Sequence, residues 1–185
     1  MSQTPPSSQA TPTTTPAPTP ELGKAATRIV VSSLKIDMPA VELPVPPKLP
    51  YCGVAMWWSA GNRLVQPGLP GATYLVAQPR PGMFLPLLNA SKLNDGSAMI
   101  GTKVDVYTAA DWRFTYEISA VHRHVVPDGH ALDDALSATT PELWLQTGEG
   151  PMGTKTVLLV AAKLVSASPA TEADAQPLAK PVACP

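Results

Sequence analysis

Between residues 27 and 165 the chain is punctuated too often to hold long helices. Runs rich in Val, Ile, Leu, Thr and aromatics recur as RIVV, LKI, VEL, GVAMWW, ATYLVA, TKVDVYT, RFTYEISAV, ELWLQT and TVLLVAAKLV. Clusters of Pro, Gly, Asn and Asp separate them, which is the pattern of a β barrel or sandwich. In RFTYEISA the alternation puts Phe114, Tyr116, Ile118 and Ala120 on one face and Arg113, Thr115, Glu117 and Ser119 on the other. This predicts a half-buried antiparallel strand, hairpinned to KVDVYT through the turn AADW. Two stretches, FLPLLNA and DGHALDDALSA, have room for two or three helical turns each, the second with Asp128 as N-cap.

The flanks have a different composition. Residues 2–20 hold six Pro and six Thr with no large apolar side chain, so they bury too little surface to offset the entropy of ordering. Residues 166–185 carry small residues and four Pro. The expected organisation is a disordered Pro/Thr linker over 1–26, one all-β domain over 27–165, and a disordered tail over 166–185. A core of this size agrees with 185 residues of which 44% are hydrophobic.

Charge narrows the partners. Thirteen Lys and Arg stand against fourteen Asp and Glu, a net charge of −1, so the chain lacks the basic footprint that nucleic acid or anionic lipid requires. No run of about 18 apolar residues is present to span a bilayer. A Pro/Thr stalk just before a domain is usual outside a membrane anchor, so any membrane tie is expected through an anchor upstream of Met1.

Several residues could carry chemistry. His122 and His124 are two apart and would share a strand face, with His130 across a turn; such nitrogens can hold zinc or copper. No Cys or carboxylate sits at complementary spacing, so no metal is expected. Cys52 lies at a strand entrance and Cys184 is penultimate; closing a long unstructured tail is costly, which favours two unpaired thiols over a disulfide. Trp57, Trp58 and Trp144, with Met56 and Met83, are core residues first and a groove lining second.

The collinear order RIVVSSLKIDMPAVE, GVAMWW, QPGLPGATYLVAQPRPGMFLPLL, IGTKVDVYTAADWRFTYEISAV, LWLQTGEGP and TVLLVAAKLV resembles the sortase domain, particularly classes E and F. The resemblance implies a closed β-barrel of about eight strands with one or two short helices, an extracytoplasmic or cell-surface location, and peptide or surface-protein partners without a cofactor. It also implies a His, a Cys and an Arg that together cut a peptide and pass its acyl group to an amine.

The positions that match those three hold other residues. Gln78 stands for the His, Gly148 for the Cys, and Lys155 for the Arg, with Thr156 as the one-residue alternative. Gly148 has no nucleophile, Gln78 does not titrate, and Lys155 lacks the planar fork of a guanidinium. The expected function is therefore a sortase-like binding domain without cysteine transpeptidase activity, contacting its ligand through Gln78, Trp144 and Lys155. The alternative is an enzyme: a transpeptidase whose catalytic residues lie elsewhere in the chain, or an altered hydrolase using Thr147, Glu149 or a histidine, with Asp128, Asp133 or Asp134 as a second carboxylate.

Overall fold

The structure, a computed structural model, describes residues 18–44, 51–128, 130–150 and 154–184. Eight strands close a barrel: β1 (Ala26–Val31), β2 (Ile36–Glu42), β4 (Ala55–Trp57), β5 (Gly71–Val76), β6 (Lys103–Thr108), β7 (Trp112–Val125), β8 (Pro141–Gly148) and β9 (Val157–Pro169). Their order around the barrel is β1-β2-β4-β5-β8-β9-β7-β6. The neighbours β2/β4 and β5/β8 run parallel, and the other pairs run antiparallel. A two-stranded sheet pairs β3 (Tyr51–Cys52) with β10 (Val182–Ala183).

Alternation explains the core. Ile29, Val31, Ile36, Met38, Val104, Val106, Phe114, Tyr116, Ile118, Leu143, Leu145, Leu158 and Val160 fill the interior. Their partners on the opposite face are half-buried or exposed over most of the barrel. The runs LKI and VEL do not make two strands: a 3-10 turn over Ser32–Leu34 ends at Lys35 with φ 54, and Ile36, Val41 and Glu42 all belong to β2, with Pro39 within it opposite Arg28. The PGLPG segment packs against the core residues Phe114 and Tyr116. Gly68, at φ 84, lies so close to the Phe114 ring that a Cβ would collide with it and come within 2.8 Å of Leu22. Its amide donates to the Tyr116 hydroxyl at 3.1 Å. Burial pushes that phenol up to about 12.

The β6–β7 hairpin forms with Thr108 opposite Trp112 and Lys103 opposite Glu117. Its alternation breaks at Ser119. Ile118 pairs with Ala162 but Ala120 pairs with Ala161, so Ser119 is an extra residue in β7 and the faces exchange beyond it. Val121 therefore packs on the interior, while Ala120 joins an outer cluster instead of continuing the face of Phe114.

Both short helices form. α1 (Leu85–Ser91) turns Leu87 and Leu88 into the core. α2 (Asp133–Ser137) is preceded by Leu132 with no side-chain cap, so Asp128 is not its N-cap. The Asp128 carboxylate instead accepts from the amide of His130 at 2.9 Å, closing a local turn.

The C-terminal segment departs most from expectation. β9 runs on to Pro169, and α3 (Glu172–Ala175) follows, with Thr171 capping it through the Asp174 amide. Ala175 is buried and its carbonyl accepts from the Thr27 hydroxyl. Arg28 donates to the Asp174 carbonyl at 2.8 Å while its fork grips both oxygens of Asp37 and its plane faces the Tyr107 ring. Docking of α3 brings Cys184 to Cys52, and the two form a disulfide with Cα atoms 5.0 Å apart. The expectation of free thiols fails because the tail is ordered, which removes most of the closure cost. Of the expected N-terminal linker, residues 1–17 lie outside the described residues, and Ala26 is already a buried part of β1.

Candidate functional site

Three neighbouring strands, β5, β8 and β9, end or begin at the same rim of the barrel. Parallel pairing aligns Val76 with Gln146, and the Ala77 amide donates to the Gln146 carbonyl at 3.1 Å. Ala77 is turned into the core, which leaves the half-buried Gln78 outside. The Gln78 carbonyl accepts from the amides of Arg80 and Phe84 at 2.9 and 3.1 Å, fixing the turn that leads to α1.

Gly148 lies beside this turn. A Cβ built on it would stand 3.6 Å from Pro79 Cγ, an ordinary contact, and its backbone is not left-handed. Across the ladder Gly148 pairs with Val157, and the Glu149 amide donates to the Thr156 carbonyl at 3.2 Å. Lys155 precedes Thr156 and is exposed. The backbones at 78–79, 148 and 155–157 thus meet at one rim. At positions 78, 148 and 155 the side chains are an amide, a hydrogen and an ammonium, with no thiol and no imidazole among them, and Thr156 beside them adds a half-buried hydroxyl.

Below the rim the outer face of β5, β8 and β9 is apolar. Tyr74, Trp144, Leu159, Ala72 and Ala161 form a second cluster with Leu64, and Ala135 of α2 covers part of it. Trp58 meets Tyr74 edge to face with centroids 6.2 Å apart, and Trp57 packs on the barrel interior, so the two adjacent indoles do face opposite sides. Trp144 is only 5% exposed. Its Nε1 donates to Glu142 at 3.0 Å and His122 stacks on its ring. On this face the half-buried His122 ring lies over Trp144, so His122 and not Trp144 is the more accessible of the two rings. The Tyr74 hydroxyl donates to Gln146 at 2.6 Å, and burial raises its pKa well above the ordinary phenol range.

The remaining candidates are dispersed. Thr147 is 1% exposed and faces the interior with Leu143 and Leu145, so its hydroxyl cannot reach a substrate. Glu149 is no exposed loop acid: its side chain is 4% exposed. One oxygen accepts from the His124 amide at 2.8 Å and lies 2.9 Å from His124 Nδ1, and the other is 3.6 Å from Arg123 Nε. Arg123 also reaches Asp95 at 3.4 Å. His124 adopts φ 58 where β7 is irregular between His122 and Val125, so the two histidines do not continue one face. His130 pairs with Asp133 at 2.9 Å. Among the described residues no three His, Cys, Asp or Glu are assembled to hold a metal.

A closed eight-stranded mixed barrel of this topology is the sortase fold. The chain superimposes on sortase A from Listeria monocytogenes with a TM-score of 0.61 at 15% identity, covering 84% of this chain and 99% of that one. It superimposes on sortase E1 from Streptomyces coelicolor, solved with a tripeptide in the active site, with a TM-score of 0.59 at 16% identity, covering 84% and 95%. Sortase C from Clostridium perfringens aligns at 0.55 with 18% identity over 79% and 72%. No family model matches the sequence, and no curated protein matches it either. At these identities the likeness is one of fold.

Proposed function

We propose that this chain is an extracytoplasmic sortase-fold domain that binds a peptide or a segment of a surface protein and does not carry out cysteine transpeptidation. The observation that carries the reading is Gly148, at the rim between the β5 turn and the start of β9. Where the sequence resemblance to classes E and F puts the attacking sulfur, the chain has a hydrogen. No shift of pKa or environment supplies a nucleophile there, and the loss of one member of a cooperating set removes most of its rate. The chain's two thiols are bonded to each other, which argues against a displaced cysteine nucleophile.

Binding remains chemically reasonable. The Gln78 amide can both donate to and accept from a peptide backbone, Lys155 supplies positive charge, and His122 on Trp144 offers a flat half-buried surface. The tripeptide belongs to the S. coelicolor enzyme; a peptide ligand for this chain is inferred from the shared fold. A disulfide suits an oxidising compartment, and the Pro/Thr-rich stretch over 2–20 suits a spacer to an anchor.

The test is to incubate the purified chain with a fluorogenic LPXTG-like peptide and a panel of surface-protein peptides, with and without an amine acceptor. The expected result is saturable binding to at least one peptide, weakened by Gln78→Ala or Lys155→Ala, with cleavage no faster than buffer. Acyl transfer to the amine, or an absence of binding across the panel, overturns the proposal.

A further inference from the structure

The last nine described residues are held in an unusual way. None of residues 176–184 is buried, and Leu178 and Val182 are 77% and 55% exposed. The Gln176 side chain is tied to Asp111 at 2.8 Å. Beyond it, the strap reaches β3 through two residue pairs, Val182 with Cys52 and Ala183 with Tyr51, and through the Cys52–Cys184 bond. A two-residue ladder with no apolar burial is not stable by itself in water, so the covalent bond is what keeps the strap in place. Both cysteines are half-buried, but their neighbours differ: Cys52 packs against the barrel core, whereas Cys184 follows the exposed residues 181–183 of the strap.

We propose that Cys52–Cys184 is a thiol-exchangeable clamp, that opening it releases residues 177–184 while the barrel stays folded, and that Cys184 is the site at which an incoming thiol becomes attached. An external thiolate attacks Cys184 Sγ, the new S–S bond forms there, and Cys52 leaves as a thiolate that takes a proton from water. No net oxidant or reductant is consumed in that step. Release stops near Gln176 because α3 has its own ties to Thr27, Arg28 and Asp111. The freed strap uncovers β3, which leads through Gly53 into the strand carrying Trp57. The inference is independent of whether the rim binds peptide.

The test uses the full chain incubated with reduced glutathione, followed by N-ethylmaleimide, peptide mapping by mass spectrometry and hydrogen exchange, with Cys184→Ser as a second route to the open state. The glutathione adduct is expected on Cys184 and the maleimide on Cys52. Amides of 178–184 are expected to exchange at least about tenfold faster, with β5, β8 and β9 protection unchanged. Cys184→Ser should reproduce the exchange pattern without glutathione. Glutathione on Cys52, an unchanged strap, or loss of protection throughout the barrel would each overturn the proposal.

Discussion

The imidazole of His122 lies flat on the indole of Trp144, with ring centroids 5.9 Å apart and planes 7° from parallel. The stack exists because Ser119 is inserted into β7: without that extra residue His122 would point into the barrel and Val121 would point out. One bulge thus converts an interior position into part of the outer face shared with Trp144 and Leu159.

The two rings should separate in their effects. Trp144→Ala removes a nearly buried indole and its bond to Glu142, and is expected to cost about 3–5 kcal/mol in urea unfolding. His122→Ala removes a half-buried ring from the surface and should cost under about 1.5 kcal/mol, while weakening any peptide that lies in the groove. Equal losses of stability for the two variants would contradict this assignment.

Gly148 and Gly68 make an opposite pair. Gly148 has an ordinary backbone, and a Cβ on it would make only ordinary contact with Pro79, so Gly148→Ala and Gly148→Cys should fold with stability within about 0.5 kcal/mol of the parent. Gly148→Cys should be alkylated by iodoacetamide yet transfer no acyl group, because Gln78 cannot protonate the leaving amine. Gly68→Ala meets a left-handed φ and the Phe114 ring together and should lose about 3 kcal/mol. Thermal melts of the three variants check the ranking.

Glu149 should behave as a structural latch. Its carboxylate joins the end of β8 to His124 and Arg123 of β7. Glu149→Ala leaves the Arg123 guanidinium without this partner and should destabilise by about 2 kcal/mol, less than for a fully buried pair because Arg123 is partly solvated. Glu149→Gln keeps an acceptor for the His124 amide and should lose less. Urea titrations of both variants give the comparison.

His130 titrates above the ordinary histidine value of 6.5, first through its hydrogen bond to Asp133 and then through the charges of Asp133 and Asp128. A raised folded pKa means that the protonated ring favours the folded turn. That contribution is complete below the unfolded pKa and fades as pH rises through the folded one. An NMR titration of the His130 ring should show the elevation, and Asp133→Asn should lower it. An unchanged value in Asp133→Asn would place the cause elsewhere.

Much of the barrel can be read from local pattern, because strand alternation and turn residues are local physics. Phe114, Tyr116 and Ile118 inside, the hairpin through AADW, and a barrel or sandwich follow from spacing; the closure into eight strands was implied by the resemblance to the sortase domain. Thr147 and Gly148 also had to face opposite sides, and they do. The pattern failed where one residue was added or a distant segment intervened. Ala120 changed face at the Ser119 bulge, and Asp128 capped a turn and not a helix. Trp144 lies beneath His122, and Glu149 is buried by Arg123 and His124.

The amino-acid order by itself determined which atoms are available: residue 148 carries no side chain, residue 78 no titrating group, and no packing can supply either. Tertiary structure alone decided which available atoms meet. Cys52 and Cys184 are 132 residues apart, and a composition poor in large apolar groups gave no local sign that the tail would order. It orders because Thr27, Arg28 and Asp111, brought together by barrel closure, hold α3 and Gln176 against the wall, and cooperation among residues so far apart leaves no trace in short-range sequence.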